Sequence, residues 1–157
     1  MLQKTEFIWF DGKLVPWDQA QVHVLAHGLH YGTGVFEGIR AYACPDGSSA
    51  VFRLPEHSKR LVNSAKILGI DMPYTADEIS KAIVETVVAN KLSEGYIRPL
   101  AFAGEGDMGR VPPATTPTHV IHRRVAPGAL LGAEALKGHP HQASSLPRMH
   151  VNTLTEQ

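Results

Sequence analysis

Phe7-Ile8-Trp9-Phe10 and Lys13-Leu14-Val15 are joined by Asp11-Gly12 alone. Two residues that tolerate positive φ make a tight turn, so the flanking stretches must pair antiparallel. A second hairpin is predicted from Val35 to Leu54, where Gly38-Ile39-Arg40-Ala41-Tyr42 and Ala50-Val51-Phe52-Arg53-Leu54 flank the turn Pro45-Asp46-Gly47-Ser48. A chain that opens on two hairpins is not building a doubly wound parallel sheet, which needs helical crossovers between strands.

Helix signals follow. Pro55 suits a first helical position, Leu61, Ala65 and Leu68 recur at i, i+4 and i+7, and Gly69 ends the run. Thr75-Ala76-Asp77-Glu78 has the form of a capping box, and Ile79, Ile83 and Val87 then trace one apolar face, with Asn90 near its end. Tyr96 to Ala103 reads as a strand, and Thr118 to Ile121 as another. Hairpins, two helices and further strands predict an α+β sandwich. After His122 the periodicity decays, which predicts a domain ending near residue 125.

Fifteen basic residues balance fifteen acidic ones, an even count that argues against a nucleic-acid or membrane-surface protein. The single cysteine, Cys44, has no partner for an internal disulfide, and no apolar run approaches the length of a bilayer span. The opening residues lack a signal-peptide core. Together these predict a cytoplasmic protein.

His23, His27 and His30 are spaced like a metal cluster, but the glycines around them do not favour a helix and no carboxylate pair completes a site. They are read as loop-packing residues, and no metal is expected. Gly32-Thr33-Gly34-Val35-Phe36-Glu37-Gly38 fits neither glycine-rich nucleotide spacing, and suits a bend where backbone approaches a ligand or another chain. Arg98 lies in an otherwise apolar strand, where burial is costly unless the guanidinium meets an anion. Arg60 sits beside the apolar positions of the first helix. Either arginine can hold a carboxylate or phosphate bidentately, or form a structural pair with a glutamate.

The run His27-Gly28-Leu29-His30-Tyr31-Gly32-Thr33-Gly34-Val35-Phe36-Glu37-Gly38-Ile39-Arg40 resembles the signature of the branched-chain aminotransferases, fold-type IV pyridoxal-phosphate enzymes. Trp9-Phe10-Asp11-Gly12, Glu56-His57-Ser58-Lys59-Arg60-Leu61, Ser64-Ala65-Lys66, Tyr96-Ile97-Arg98-Pro99-Leu100 and Gly128-Ala129-Leu130-Leu131-Gly132 extend the resemblance in the same order. It is close from about residue 7 to 121 and patchy afterwards. It implies that Arg60 holds the cofactor phosphate, with Tyr96 and Arg98 at the substrate end of the pocket. Phe36 would line an apolar side-chain pocket, joined by Tyr31 from a partner subunit, and Gly38 would keep room beside the substrate. Arg110 occupies a loop site usually small and apolar in such enzymes, on the partner-facing wall of the pocket.

The implied reaction is reversible transfer of the amino group of leucine, isoleucine or valine to 2-oxoglutarate, in a homodimer or larger assembly. Its Schiff-base lysine follows an Asn-Thr segment, here Asn152-Thr153, and is expected beyond Gln157. None of Lys4, Lys13, Lys59, Lys66, Lys81, Lys91 and Lys137 stands in that register. The sequence is therefore read as a fragment, inactive alone and binding the cofactor weakly if at all: a small N-terminal α+β domain over 1–125, a linker over 126–138 and the truncated start of a large domain over 139–157. His122-Arg123-Arg124-Val125-Ala126-Pro127 replaces the small residues and aromatic that relatives carry there. GC-rich codons for this run, read one base later, would restore that pattern. The alternatives are a D-amino-acid aminotransferase or aminodeoxychorismate lyase of the same fold, and a non-catalytic dimerising fragment.

Overall fold

The computed structural model describes residues 4–91, 93–106 and 117–125. Arg110 and everything assigned above to the linker and the large domain lie outside them. The described residues form an antiparallel sheet with its two long helices packed on one face, in the order β1 (Phe7–Phe10), β2 (Lys13–Pro16), a 3-10 turn (Trp17–Gln19), α1 (His27–Tyr31), β3 (Gly34–Phe36), β4 (Ile39–Ala43), β5 (Ser49–Val51), α2 (Leu54–Ile67), α3 (Ala76–Ala89), β6 (Gly95–Ala103) and β7 (Thr118–Val125). The strands lie in the order β2-β1-β7-β6-β4-β5, with β3 also pairing β6. This is the expected α+β class.

The first hairpin forms as read, with Phe10 opposite Lys13 and positive φ at both Asp11 and Gly12. Asp11 does more than turn: its carboxylate accepts from the Val120 amide at 2.8 Å and meets His119 Nδ1 at 2.6 Å, pinning the hairpin to β7. The second hairpin is shorter than expected. Pairing stops at Val51, and Leu54 is already helical, because Arg53 takes a left-handed conformation that turns the chain into α2. Pro55 then sits in the first turn of that helix, where a missing amide costs nothing.

Helices α2 and α3 cover one face of the sheet. Leu61, Ala65, Ile79 and Ile83 are fully buried against Ile39, Ile97, Ala101 and Val120. Leu68 departs from expectation: it caps the helix C-terminus and is more than half exposed, and Ile70, beyond the Gly69 turn, fills the core instead. The capping box at Thr75 is complete in both directions. Asn90, at the other end of α3, exchanges hydrogen bonds with both backbone groups of Phe7, tying the helix to β1. Residues 27–31, expected as loop, form one helical turn closed by left-handed Gly32. Strand β7 runs four residues past the expected end, and its backbone pairs with β6 as far as Val125 opposite Tyr96.

Candidate active site

Strand β6 separates two chemical environments. Ile97, Pro99 and Ala101 point into the helix-covered core, so alternation turns Tyr96, Arg98, Leu100 and Phe102 to the open face. Beside it, β3 and β4 follow one another in a single register, Phe36 opposite Leu100 and Ile39 opposite Ile97. Between those pairs Glu37 faces Pro99. Pro99 has no N–H to return, so the ladder keeps only the bond from the Glu37 amide to the Pro99 carbonyl, at 3.0 Å. The interruption falls at Glu37-Gly38, with Phe36 and Gly38 on the open face and Glu37 on the helix side.

On the open face the Arg98 guanidinium lies 4.3 Å over the Phe36 ring and 5.2 Å from the Tyr96 ring. Among the described residues no carboxylate pairs with Arg98. A Cβ at Gly38 would stand 2.4 Å from the Tyr96 hydroxyl, so only glycine leaves that ring its place. Next to this group Phe36, Leu100, Phe102, Ile121, Val22 and Leu29 line an apolar concavity of about 440 Å³. A free cation at the edge of an apolar hollow is what a small anion with a hydrocarbon tail would fit.

On the helix side, buried Glu37 receives Arg60 Nε on one carboxylate oxygen, with Arg60 Nη2 at 2.7 Å and His57 Nδ1 at 2.8 Å on the other. Burial pushes the Glu37 carboxyl up, and these hydrogen bonds and charges more than offset it, leaving its pKa below the ordinary value. Arg60 is therefore in the structural pair with a glutamate that its residue type allowed. Its side chain nevertheless stays 67% exposed, and among the described residues its Nη1 makes no hydrogen bond. That free edge fits the phosphate end of a cofactor.

Phe36, Gly38, Tyr96 and Arg98 thus come together on the open face, whereas Arg60 lies on the helix side and is linked to them only along the chain, through Glu37 between Phe36 and Gly38. Tyr31 stands apart on α1, half exposed, its ring 4.4 Å from that of His27. His27 is buried and meets the Thr33 hydroxyl at 3.0 Å, and His30 meets the Val24 carbonyl, so these two histidines serve local packing as read. The described lysines lie before β1, on β2, on α2 and α3 and after α3, and none is on a strand carrying the site. Residue-type reasoning assigned no role to Glu37 or His57. The available signal was alternation, which turns Glu37 inward to face helix residues 57 and 60, one turn apart.

The family profile described as amino-transferase class IV matches residues 34–153. The chain belongs to that family. It is 46% identical over 153 residues to a branched-chain-amino-acid aminotransferase of Pseudomonas aeruginosa, an alignment covering 97% of this chain and 49% of that protein. The crystal structure of the Escherichia coli branched-chain amino acid aminotransferase superposes with a TM-score of 0.80 at 47% identity, covering 84% of this chain and 43% of that one. The crystal structure of the T.th. branched-chain amino acid aminotransferase with pyridoxamine 5'-phosphate gives 0.74 at 44% identity, covering 78% and 40%. The chain spans about half the length of the curated relatives it matches. Among the described residues no helix is long and apolar enough to cross a membrane.

Proposed function

We propose that this chain supplies the small domain of a cytoplasmic, homodimeric branched-chain amino-acid aminotransferase, which moves the amino group of leucine, isoleucine or valine reversibly to 2-oxoglutarate. On this reading residues 1–125 are the small domain, 126–138 a linker and 139–157 the start of a large cofactor-binding domain. The observation that carries it is the Arg98 guanidinium, unpaired among the described residues, lying over the Phe36 ring that lines the apolar concavity. A branched-chain substrate presents that pair of features, a carboxylate beside a hydrocarbon side chain.

Pyridoxal phosphate, when bound, supplies the electron sink that amino-group transfer needs. Arg60 fits its phosphate through the free Nη1 edge. Arg98, steadied between two aromatic rings, takes the substrate carboxylate, with the Tyr96 hydroxyl close by. Phe36 and the apolar residues beside it receive the side chain, and Gly38, rather than keeping room for substrate itself, gives the Tyr96 ring its place at the edge of the site. One methylene in such a pocket is worth only about 1–3 kcal/mol, so all three branched substrates are expected to react. Tyr31, exposed at the end of α1, is available to a partner subunit's site.

The test is a substrate panel on protein that carries this chain together with a large domain. Turnover of leucine, isoleucine and valine with 2-oxoglutarate is expected, and Arg98→Gln should raise KM for every carboxylate substrate. Turnover of D-alanine instead, or release of pyruvate from aminodeoxychorismate, would replace this reading with one of the sister activities.

A further inference from the structure

We infer that Glu37 and His57 are positioning residues for Arg60, the buried carboxylate gripping the guanidinium by its Nε–Nη2 edge so that its Nη1 edge is held ready for a phosphate ester. This rests on the reading above in which Arg60 binds phosphate.

Glu37 is only 4% exposed, on the face of the sheet that otherwise buries aliphatic side chains. A carboxylate there must be fully partnered to be tolerated. One oxygen takes Arg60 Nε, and the other takes Arg60 Nη2, His57 Nδ1 and, at 3.4 Å, the Gly38 amide. The acid is thereby satisfied without Nη1. Neutralising Glu37 does not require a guanidinium that remains two-thirds in solvent. Anchoring two groups of the fork, however, removes most of the rotamer freedom of a long exposed side chain and leaves its last edge in one orientation. The ordering cost of binding an anion is then met before the anion arrives. His57, 18% exposed, holds the shared oxygen from the other side and keeps the carboxylate from rotating away. Glu37 also lies between Phe36 and Gly38, so the grip ties the phosphate end of the site to the strand positions that shape its substrate end.

The experiment is an NMR titration, on cofactor-free protein that carries this chain together with a large domain, with pyridoxine 5'-phosphate, whose alcohol cannot condense with lysines, and with pyridoxine as the phosphate-free control. Broadening of the ligand's own proton signals reports binding in every variant, and the Arg60 Nε–Hε signal adds to it where that arginine is present. Glu37→Gln should weaken pyridoxine 5'-phosphate by about fivefold or more and His57→Leu by about twofold, with pyridoxine unaffected. In an Arg60→Lys background Glu37→Gln should change affinity by less than about twofold, because an ammonium has no edge to orient. A merely structural role would lower thermal stability in both backgrounds and leave phosphate affinity alone. If Arg60→Ala abolishes binding while the Glu37 and His57 variants bind like the unaltered chain, the positioning role is wrong and the Arg60 assignment stands. If Arg60→Ala binds normally, or the unaltered chain shows no saturable response, both are wrong. Should Glu37→Gln fail to fold by circular dichroism, His57→Leu in the two Arg60 backgrounds decides the same question.

Discussion

Gly38 provides a sharp test of the site geometry, because the cost of a single methyl can be worked out and then cancelled. In Gly38→Ala the new Cβ would meet the Tyr96 hydroxyl at 2.4 Å, with Tyr96 Cζ and Cε2 at 3.1 and 3.2 Å. Unbonded heavy atoms settle at about 3.5–4.0 Å, so the hydroxyl must retreat by roughly 1 Å. Tyr96 is tethered at its Cα by pairs to β4 and β7, and its ring lies 5.2 Å from the Arg98 guanidinium. Retreat therefore means swinging the ring and losing that contact. Overpacking of this kind costs about 1–3 kcal/mol, and the ring, only partly buried, puts the expectation at about 1.5 kcal/mol. Tyr96→Phe removes the atom in deepest conflict and leaves contacts that need only a few tenths of an ångström. The double variant should therefore recover about 1 kcal/mol, seen as a coupling between the two sites in urea unfolding. Equal destabilisation by Gly38→Ala in the tyrosine and phenylalanine backgrounds, to within about 0.3 kcal/mol, would refute the proposed packing.

Three further outcomes follow from other parts of the fold. Burial pushes the His119 imidazole down, but Asp11 and Glu105 outweigh it and raise its pKa above 6.5. The stabilisation from that cluster is fully present below the unfolded value of about 6.5 and is lost as pH rises through the higher folded one. Unfolding free energy should thus fall across neutral pH, and His119→Gln should flatten the slope; an unchanged slope counts against the cluster. Thr75→Ala removes the acceptor for the Glu78 amide and should cost about 1 kcal/mol in the same urea assay, whereas a neutral result would mean the capping box contributes nothing. Ile83→Ala empties a fully buried position between α3 and the sheet and should cost about 2–5 kcal/mol. A loss below about 1 kcal/mol would mean the core collapses freely around it.

Some local structure was legible because short-range physics decides it. Asp11-Gly12 has one good conformation between two apolar stretches, and the hairpin follows. Thr75 and Glu78 satisfy each other's amides within a single turn, so the start of α3 could be read directly. Leu68 was misplaced because periodicity cannot see that the helix ends one residue earlier and that Ile70 folds back under it. The histidine-bearing turn at 27–31 escaped because glycine propensity argues against a helix. There the His27 amide bonds the Gly104 carbonyl, and Gly32 caps the turn, contacts made with distant chain or with positive φ.

The amino-acid sequence by itself determined the α+β class, the presence of a lone arginine, Arg98, in an apolar strand, and the order of motifs that marks the class IV aminotransferases. Each is a matter of neighbours along the chain. Only the tertiary structure decided what those side chains meet. It stacked Arg98 between Phe36 and Tyr96, rings from two different strands, rather than on an acid. It also brought Glu37 under Arg60 and His57 across 20 to 23 positions of chain. Pairing at that range depends on strand register and on the angle at which α2 crosses the sheet, and neither is written in any local run of residues.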